Sequence, residues 1–320
     1  LLDLLCRYTD HIAATFGPGP GQRRGYCGHP EVELALIKLA EATDSPHYLD
    51  LARFFVDERG RAPHYFDLEA QARGEDPRGF WAKTYHYCQA HVPVRDQKIA
   101  TGHSVRAAYL YTAMAALARL TGDAALADSC RAIWTDLTAH QMYITGGVGP
   151  AHANEGFTFA YDLPNETAYG ETCASIALVL WAQQMFELDG QGAYIDVLER
   201  ALYNNVLAGV SAEGDHFFYA NPLASYPHIS PYAHWSGIHT DRHYRRSDWF
   251  SCACCPPNVA RMVASVGSYL YAAAPDAVYV NLYAASRATL DLGGVPVTLE
   301  QRTEFDADFF LLAGLLTHDA

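Results

Sequence analysis

Apolar positions recur along most of this chain at the three-and-four spacing of helices buried on one face. From Glu31 to Ala42 they fall at Val32, Leu34, Ala35, Leu36, Leu39 and Ala40; Thr43-Asp44-Ser45-Pro46 interrupts the period, and Tyr48 to Glu58 resumes it. The pattern predicts helix, short turn, helix. The same layout returns at Val105 to Leu120 and Leu126 to Thr138, joined by Thr121-Gly122-Asp123, and again at Cys173 to Leu188 and Tyr194 to Ala208, joined by Asp189-Gly190. A further helix is expected from Pro256 or Pro257 to about Tyr271, since proline is tolerated in a first helical turn.

Repeated antiparallel hairpins either stack as an open solenoid or close into an α/α toroid. The linkers, roughly 60–101, 139–170 and 209–255, are long and rich in Gly, Pro, His and aromatic residues. Long loops of this kind are usually functional, and a toroid with its loops gathered over one mouth accounts for them better than a regular solenoid. After Pro275 the texture changes to short alternating runs at Val278–Tyr283, Ala288–Leu292 and Val295–Leu299, with Gly293-Gly294 between the last two, as in a β-hairpin. The expected fold is mainly α: an α/α toroid over residues 1–274, followed by the start of a β-sandwich module over 275–320. The chain opens on Leu1 rather than Met and ends in the apolar run 309–316, so it reads as a fragment.

Composition narrows the possible functions. Half of the 320 residues are hydrophobic and 18% are charged, which excludes a disordered chain. The net charge is −14, and no Lys/Arg cluster supplies a phosphate-binding face, so nucleic acid is excluded as a partner. No apolar run reaches the roughly 18 residues of a membrane span. Eight cysteines are too few for a disulfide scaffold, yet three crowd together at Cys252, Cys254 and Cys255. Such crowding points to a reducing, cytoplasmic setting and to metal or thiolate chemistry. Oligomeric state is left open.

Cys252-Ala253-Cys254-Cys255-Pro256-Pro257-Asn258 is the sharpest local signal, because thiols just ahead of a helix start are biased toward thiolate, the form that binds zinc or attacks carbon. Glu171-Thr172-Cys173 enters the third hairpin, and residues two apart at a helix start can turn toward one point. One carboxylate, its neighbouring thiolate and two more thiolates would complete a four-coordinate Zn2+ site. The bland alternative makes Glu171 an ordinary first-turn carboxylate and the cysteines core filler. Cys6, Cys27, Cys88 and Cys130 lack such company and read as packing residues. Glu155, among small and aromatic residues in a long loop, is a candidate general acid whose pKa desolvation would raise, or else a solvated loop carboxylate. His29 and His103 each follow glycine at a predicted helix start, either as caps or facing a polyhydroxylated ligand. Trp81, Tyr85, His86, Trp235 and Trp249 in the linkers suit a sugar site built from aromatic faces and polar edges.

Together, Gly28-His29-Pro30-Glu31, Gly102-His103-Ser104-Val105-Arg106-Ala107, Thr145-Gly146-Gly147, Tyr161-Asp162-Leu163-Pro164-Asn165, Glu171-Thr172-Cys173 and Cys254-Cys255-Pro256-Pro257-Asn258 resemble glycoside hydrolase family 127, whose named activity is β-L-arabinofuranosidase. The resemblance runs from about residue 22 to 300. It implies an α/α-toroid catalytic domain followed by β-sandwich modules, with the first toroid helices and most of the β portion lacking here. It also implies an arabinoside substrate, Zn2+ held by Glu171, Cys173, Cys254 and Cys255, Cys254 as nucleophile and Glu155 as acid/base. His29, His103, Cys252 and Tyr219 would line the sugar pocket. Two other readings stay open. One is a carboxylate-based glycosidase using Glu155 with Asp162 or Glu171, its zinc purely structural; the other is a non-catalytic carbohydrate-binding or scaffold fragment.

Overall fold

The computed structural model describes residues 1–79, 84–224, 246–250 and 252–303; Trp81, Trp235 and the apolar run 309–316 lie outside them. The chain divides into two compact units, Leu1–Cys255 and Pro256–Ala320. The change from helix to strand texture at residue 275, by contrast, falls inside the second unit.

In the first unit α1 (Leu2–Thr15) precedes three helical hairpins. These are α2 (Val32–Thr43) with α3 (Pro46–Glu58), α5 (Ser104–Thr121) with α6 (Ala124–His140), and α7 (Thr172–Asp189) with α8 (Gly192–Ala201). Each hairpin turns on a residue in the left-handed region: Asp44 at φ 52°, Gly122 at 69° and Gly190 at 69°. Glycine takes this conformation without a Cβ clash. Asp123 then restarts the chain as a helix by accepting a hydrogen bond from the Leu126 N–H at 3.0 Å. The last helix of the third hairpin stops at Ala201, and one wider turn, Leu202–Leu207, carries the chain to the end predicted for it.

Helices α5 and α7 are buried on every face and pack on each other, whereas α3, α6 and α8 each bury one face. The Trp181 ring of α7 sits between Tyr111 of α5, at 5.0 Å, and Trp134 of α6, at 4.9 Å. Arg119 of α5 reaches Glu41 of α2 and Glu187 of α7, linking one helix from each hairpin. The Glu33–Arg59 ion pair is wholly buried at 3.0 Å, and Arg59 also donates to the carbonyls of Cys27 and Cys88. That guanidinium fixes the segment leading to His29.

The first long linker is not all loop, since α4 (Tyr65–Ala72) forms within it. Two turns of helix are too short for periodicity to register.

Across the start of the second unit run α9 (Cys255–Ser265) and the single turn α10 (Gly267–Leu270). Two antiparallel hairpins follow: β1 (Tyr271–Ala274) with β2 (Ala277–Val280), and β3 (Ser286–Leu292) with β4 (Val295–Gln301). The helix expected to reach Tyr271 breaks near Gly267, and Tyr271 opens a strand in register with Val280. Its hydroxyl, hydrogen-bonded to Ser286 Oγ at 2.8 Å, links the two hairpins. Gly293 and Gly294 turn the second hairpin at φ 59° and 89°, as their sequence predicts. The fold class is therefore the expected one, mainly α with helical hairpins of the α/α-toroid type, followed by a short β region. Among the described residues no helix is long and apolar enough to cross a membrane.

Candidate active site

Glu171 is the residue just ahead of α7, extended at φ −57° and ψ 135°, and Cys173 lies in that helix's first turn. Their segment is fixed from behind: the Thr172 N–H donates to the Tyr219 carbonyl at 2.9 Å, and Thr172 Oγ1 donates to the Phe218 carbonyl at 2.8 Å. Gly170 turns the chain into this segment at φ 48°, a conformation that a bulkier residue would hold under strain.

The thiols of Cys254 and Cys255 reach the same point. Cys173 Sγ lies 3.3 Å from Cys254 Sγ, and Glu171 Oε1 is 3.5 Å from Cys254 Sγ and 3.7 Å from Cys255 Sγ. Donor atoms of Glu171, Cys173, Cys254 and Cys255 all lie within 4.8 Å of one another. The four residues proposed from sequence as a zinc set thus converge.

A second cluster shares Glu171. His103, Glu155 and Glu171 also bring ligand atoms within 4.8 Å of one another. His103 stands just ahead of α5, and its Nε2 meets Glu155 Oε2 at 3.0 Å, while the Tyr169 hydroxyl donates to Glu155 Oε1 at 2.9 Å. Glu155 holds a left-handed backbone, φ 50°, which costs a non-glycine residue of the order of 1 kcal/mol. The start of α5 stabilises it, because the Ser104 N–H and Oγ both donate to the Glu155 carbonyl, at 3.0 and 2.9 Å. The neighbouring Gly156 has no room for a side chain, since a Cβ there would lie 1.9 Å from the Gly102 carbonyl oxygen.

The electrostatics follow from crowding. Burial and the Cys254 charge push the Glu171 carboxyl well above its usual range. Hydrogen bonding from Cys173 and then Cys255 draws the Cys254 thiol strongly down against burial, while Cys173 and Cys255 move up. So many acidic groups this close and this buried oppose one another's ionisation. A divalent cation would let more of these donors ionise together. Glu171 is 2% exposed, and its Oε2 has no hydrogen-bond partner among the described residues. Three soft thiols and one carboxylate, whose second oxygen is orphaned and buried, fit zinc.

At Glu155 the expected direction reverses. Burial pushes its pKa up, but the His103 hydrogen bond and charge together with the Tyr169 hydrogen bond outweigh it, and the net shift is downward. Loop composition carries no sign of these two partners.

The remaining candidates sort by position. Burial, then the nearby Arg106 charge, lowers His29 to about 4, and the charges of His103 and Cys254 also reach it. Arg106 donates to the Gly28 carbonyl at 2.7 Å and lies over the Tyr87 ring, whose plane meets His103 edge-on. Tyr219 is buried, and its hydroxyl accepts from the exposed Cys252 thiol at 3.6 Å. Asp162 belongs to neither cluster. Cys88 and Cys130 are buried as expected of packing residues, whereas Cys27 is exposed. No periodic signal marks Tyr169 or Arg106; the spacing Tyr169, Glu171, Cys173 is the one clue to the first.

Residues 1–268 match the family described as β-L-arabinofuranosidase, GH127 catalytic domain. The chain is 41% identical over 317 residues to the non-reducing end β-L-arabinofuranosidase of Bifidobacterium longum subsp. longum, an alignment covering 96% of this chain and 46% of that protein. It also resembles the crystal structure of a GH127 β-L-arabinofuranosidase from Geobacillus stearothermophilus T6, with a TM-score of 0.89 and 50% identity over 95% of this chain and 47% of that one. A second solved structure, a GH127 β-arabinofuranosidase, gives a TM-score of 0.81 at 41% identity, covering 95% and 43% of the two chains. The chain spans about half the length of these relatives. With its family model matched over most of its length, the chain belongs to glycoside hydrolase family 127, in the region of the catalytic domain.

Proposed function

We propose that this chain is the catalytic region of a retaining β-L-arabinofuranosidase, with Cys254 as nucleophile, Glu155 as acid/base and Glu171, Cys173, Cys254 and Cys255 as zinc ligands. The observation that carries this reading is that Glu171 is shared: it belongs both to the thiol cluster and to the cluster it forms with His103 and Glu155. Zinc bound by this set would supply the positive charge that keeps a thiolate ionised at neutral pH.

In the first step Cys254 Sγ forms a bond to the anomeric carbon while the glycosidic C–O bond breaks, and Glu155 gives its proton to the departing oxygen. In the second, Glu155 takes a proton from water, the water oxygen attacks the same carbon, and the C–S bond breaks to restore the thiolate. Two inversions retain the anomeric configuration. The lowered pKa of Glu155 suits the second step. For the first, a sugar that displaces solvent strengthens the burial effect and favours the protonated carboxyl. His29, which burial keeps neutral, joins His103, Tyr219 and Cys252 in presenting polar edges to the arabinofuranose ring.

The test is hydrolysis of p-nitrophenyl β-L-arabinofuranoside with and without a chelator, followed by peptide mapping after reaction with an electrophilic arabinofuranosyl analogue. Zinc-restored activity and an adduct on Cys254 are expected. An adduct on Glu155 or Glu171 with Cys254 unlabelled would overturn the cysteine mechanism in favour of a carboxylate nucleophile.

A further inference from the structure

Glu155 is held at both carboxylate oxygens, and the two holders differ in kind. At Oε2 stands the His103 Nε2, 3.0 Å away, a ring nitrogen that is donor or acceptor according to tautomer. Oε1 instead receives the Tyr169 hydroxyl at 2.9 Å, and a phenol facing a carboxylate is a donor. Tyr169 is completely buried. Its N–H donates to the Pro150 carbonyl at 3.1 Å, its carbonyl accepts from the Asn221 N–H at 2.9 Å, and the His152 ring meets it edge-on at 5.7 Å. The phenol therefore belongs to a fixed frame, and so does the Glu155 main chain, clamped through its carbonyl by Ser104.

We infer that Tyr169 is a positioning residue for the acid/base: it ties down Oε1, so that Oε2, the His103-facing oxygen, is the one that carries the proton to the leaving group and takes it from water. This rests on the acid/base role proposed for Glu155. The two holders divide the work. His103 can release or accept a proton-bearing contact as Oε2 changes state, whereas Tyr169 can keep donating to Oε1 throughout. Without the phenol the carboxyl rotates about its terminal torsion, a soft two-fold coordinate, and the proton is less often aimed at the glycosidic oxygen.

The experiment compares kcat/KM of the metal-loaded protein and of Tyr169→Phe on two β-L-arabinofuranosides, one with a 2,4-dinitrophenyl leaving group, which needs no proton, and one with a methyl leaving group, which does. The loss on the methyl substrate should be about 10- to 100-fold, the range for a hydrogen bond to a charged group. On the dinitrophenyl substrate it should be under about threefold, with bound metal per chain and melting temperature close to those of the unaltered protein. Equal losses on both substrates, or none on either, would overturn the inference. Should Tyr169→Phe not fold, 3-fluorotyrosine at position 169 replaces it, and an unchanged ratio between the two substrates would count against the proposal. Glu155→Gln separates the two levels. If that variant shows no leaving-group selectivity, the acid/base reading fails and the inference with it; if it is selective while Tyr169→Phe is not, the positioning inference alone fails.

Discussion

Cys173 and Cys254, 81 positions apart, bring their sulfurs to 3.3 Å of each other. Their sequence contexts share only a position beside a helix start, Cys173 in the first turn of α7 and Cys254 just before α9. At such ends unsatisfied N–H groups favour negative charge. The contact also requires the Glu171 segment to be braced by Phe218 and Tyr219, so the linker that follows α8 builds part of the site.

Metal removal should cost stability as well as activity. A ligand bound to the folded state at 1,000 times its Kd stabilises by about 4 kcal/mol, so a chelator should lower the melting temperature by on the order of 10 °C. Zinc should restore it, to one equivalent per chain. Cys255→Ala, which removes a fully buried donor, should leave less than one equivalent after dialysis with zinc. Metal analysis with calorimetry reads both outcomes, and one full equivalent in that variant would contradict the proposed ligand set.

Arg59 tests the frame rather than the chemistry. Removing one partner of a buried ion pair leaves an uncompensated charge, and Arg59→Met should destabilise by about 3–5 kcal/mol. Glu33→Gln should cost less, because burial already raises the Glu33 pKa and the amide still accepts from Arg59. Urea denaturation measures the order of the two variants, and equal costs would show that the Glu33 charge, rather than the Cys27 and Cys88 carbonyls, carries the stabilisation by Arg59.

How much of this was legible beforehand depends on scale. The three hairpins were, because apolar-rich runs of twelve to eighteen residues bounded by turn residues outweigh any local ambiguity. Glu171 and Cys173 with two of the three thiols at 252–255 were legible by side-chain chemistry, and the family resemblance singled out Cys254 and Cys255. Helix α4 was not, at eight residues, nor was the break of α9 and α10 ahead of Tyr271, where strand pairing overrides helical texture. The electrostatics of Glu155 escaped for a different reason. Its burial was inferred correctly in direction, but the two donors that reverse the net shift are fixed by loops whose path no periodicity encodes.

Acid should weaken the fold through His91. Burial, followed by the charge of His86 stacked on it at 4.3 Å, lowers its pKa to about 4. The unfolded state then binds the proton first as pH falls below about 6.5, so stability declines from there to about pH 4 and levels off below. With the ring partly exposed, the contribution is discounted to about 1 kcal/mol, or 2–4 °C in melting temperature. His91→Gln should flatten that limb in a melting series between pH 7 and pH 4. An unchanged slope would place the acid sensitivity elsewhere, with His29 the next candidate.

Removing the Glu155 carboxyl separates the two duties proposed for it. In Glu155→Ala a substrate with a good leaving group can still glycosylate Cys254, but no base then activates water, so the thioglycosyl enzyme should accumulate and turnover should fall by roughly 10²- to 10⁴-fold. Azide needs no deprotonation, and the shortened side chain vacates space between His103 and Tyr169 for a small anion. Added azide should therefore raise the rate and give β-L-arabinofuranosyl azide, because attack on the inverted intermediate restores the starting configuration. NMR of the product decides the matter. An azide of the opposite configuration would mean direct displacement at the substrate and would remove Cys254 from the role of nucleophile.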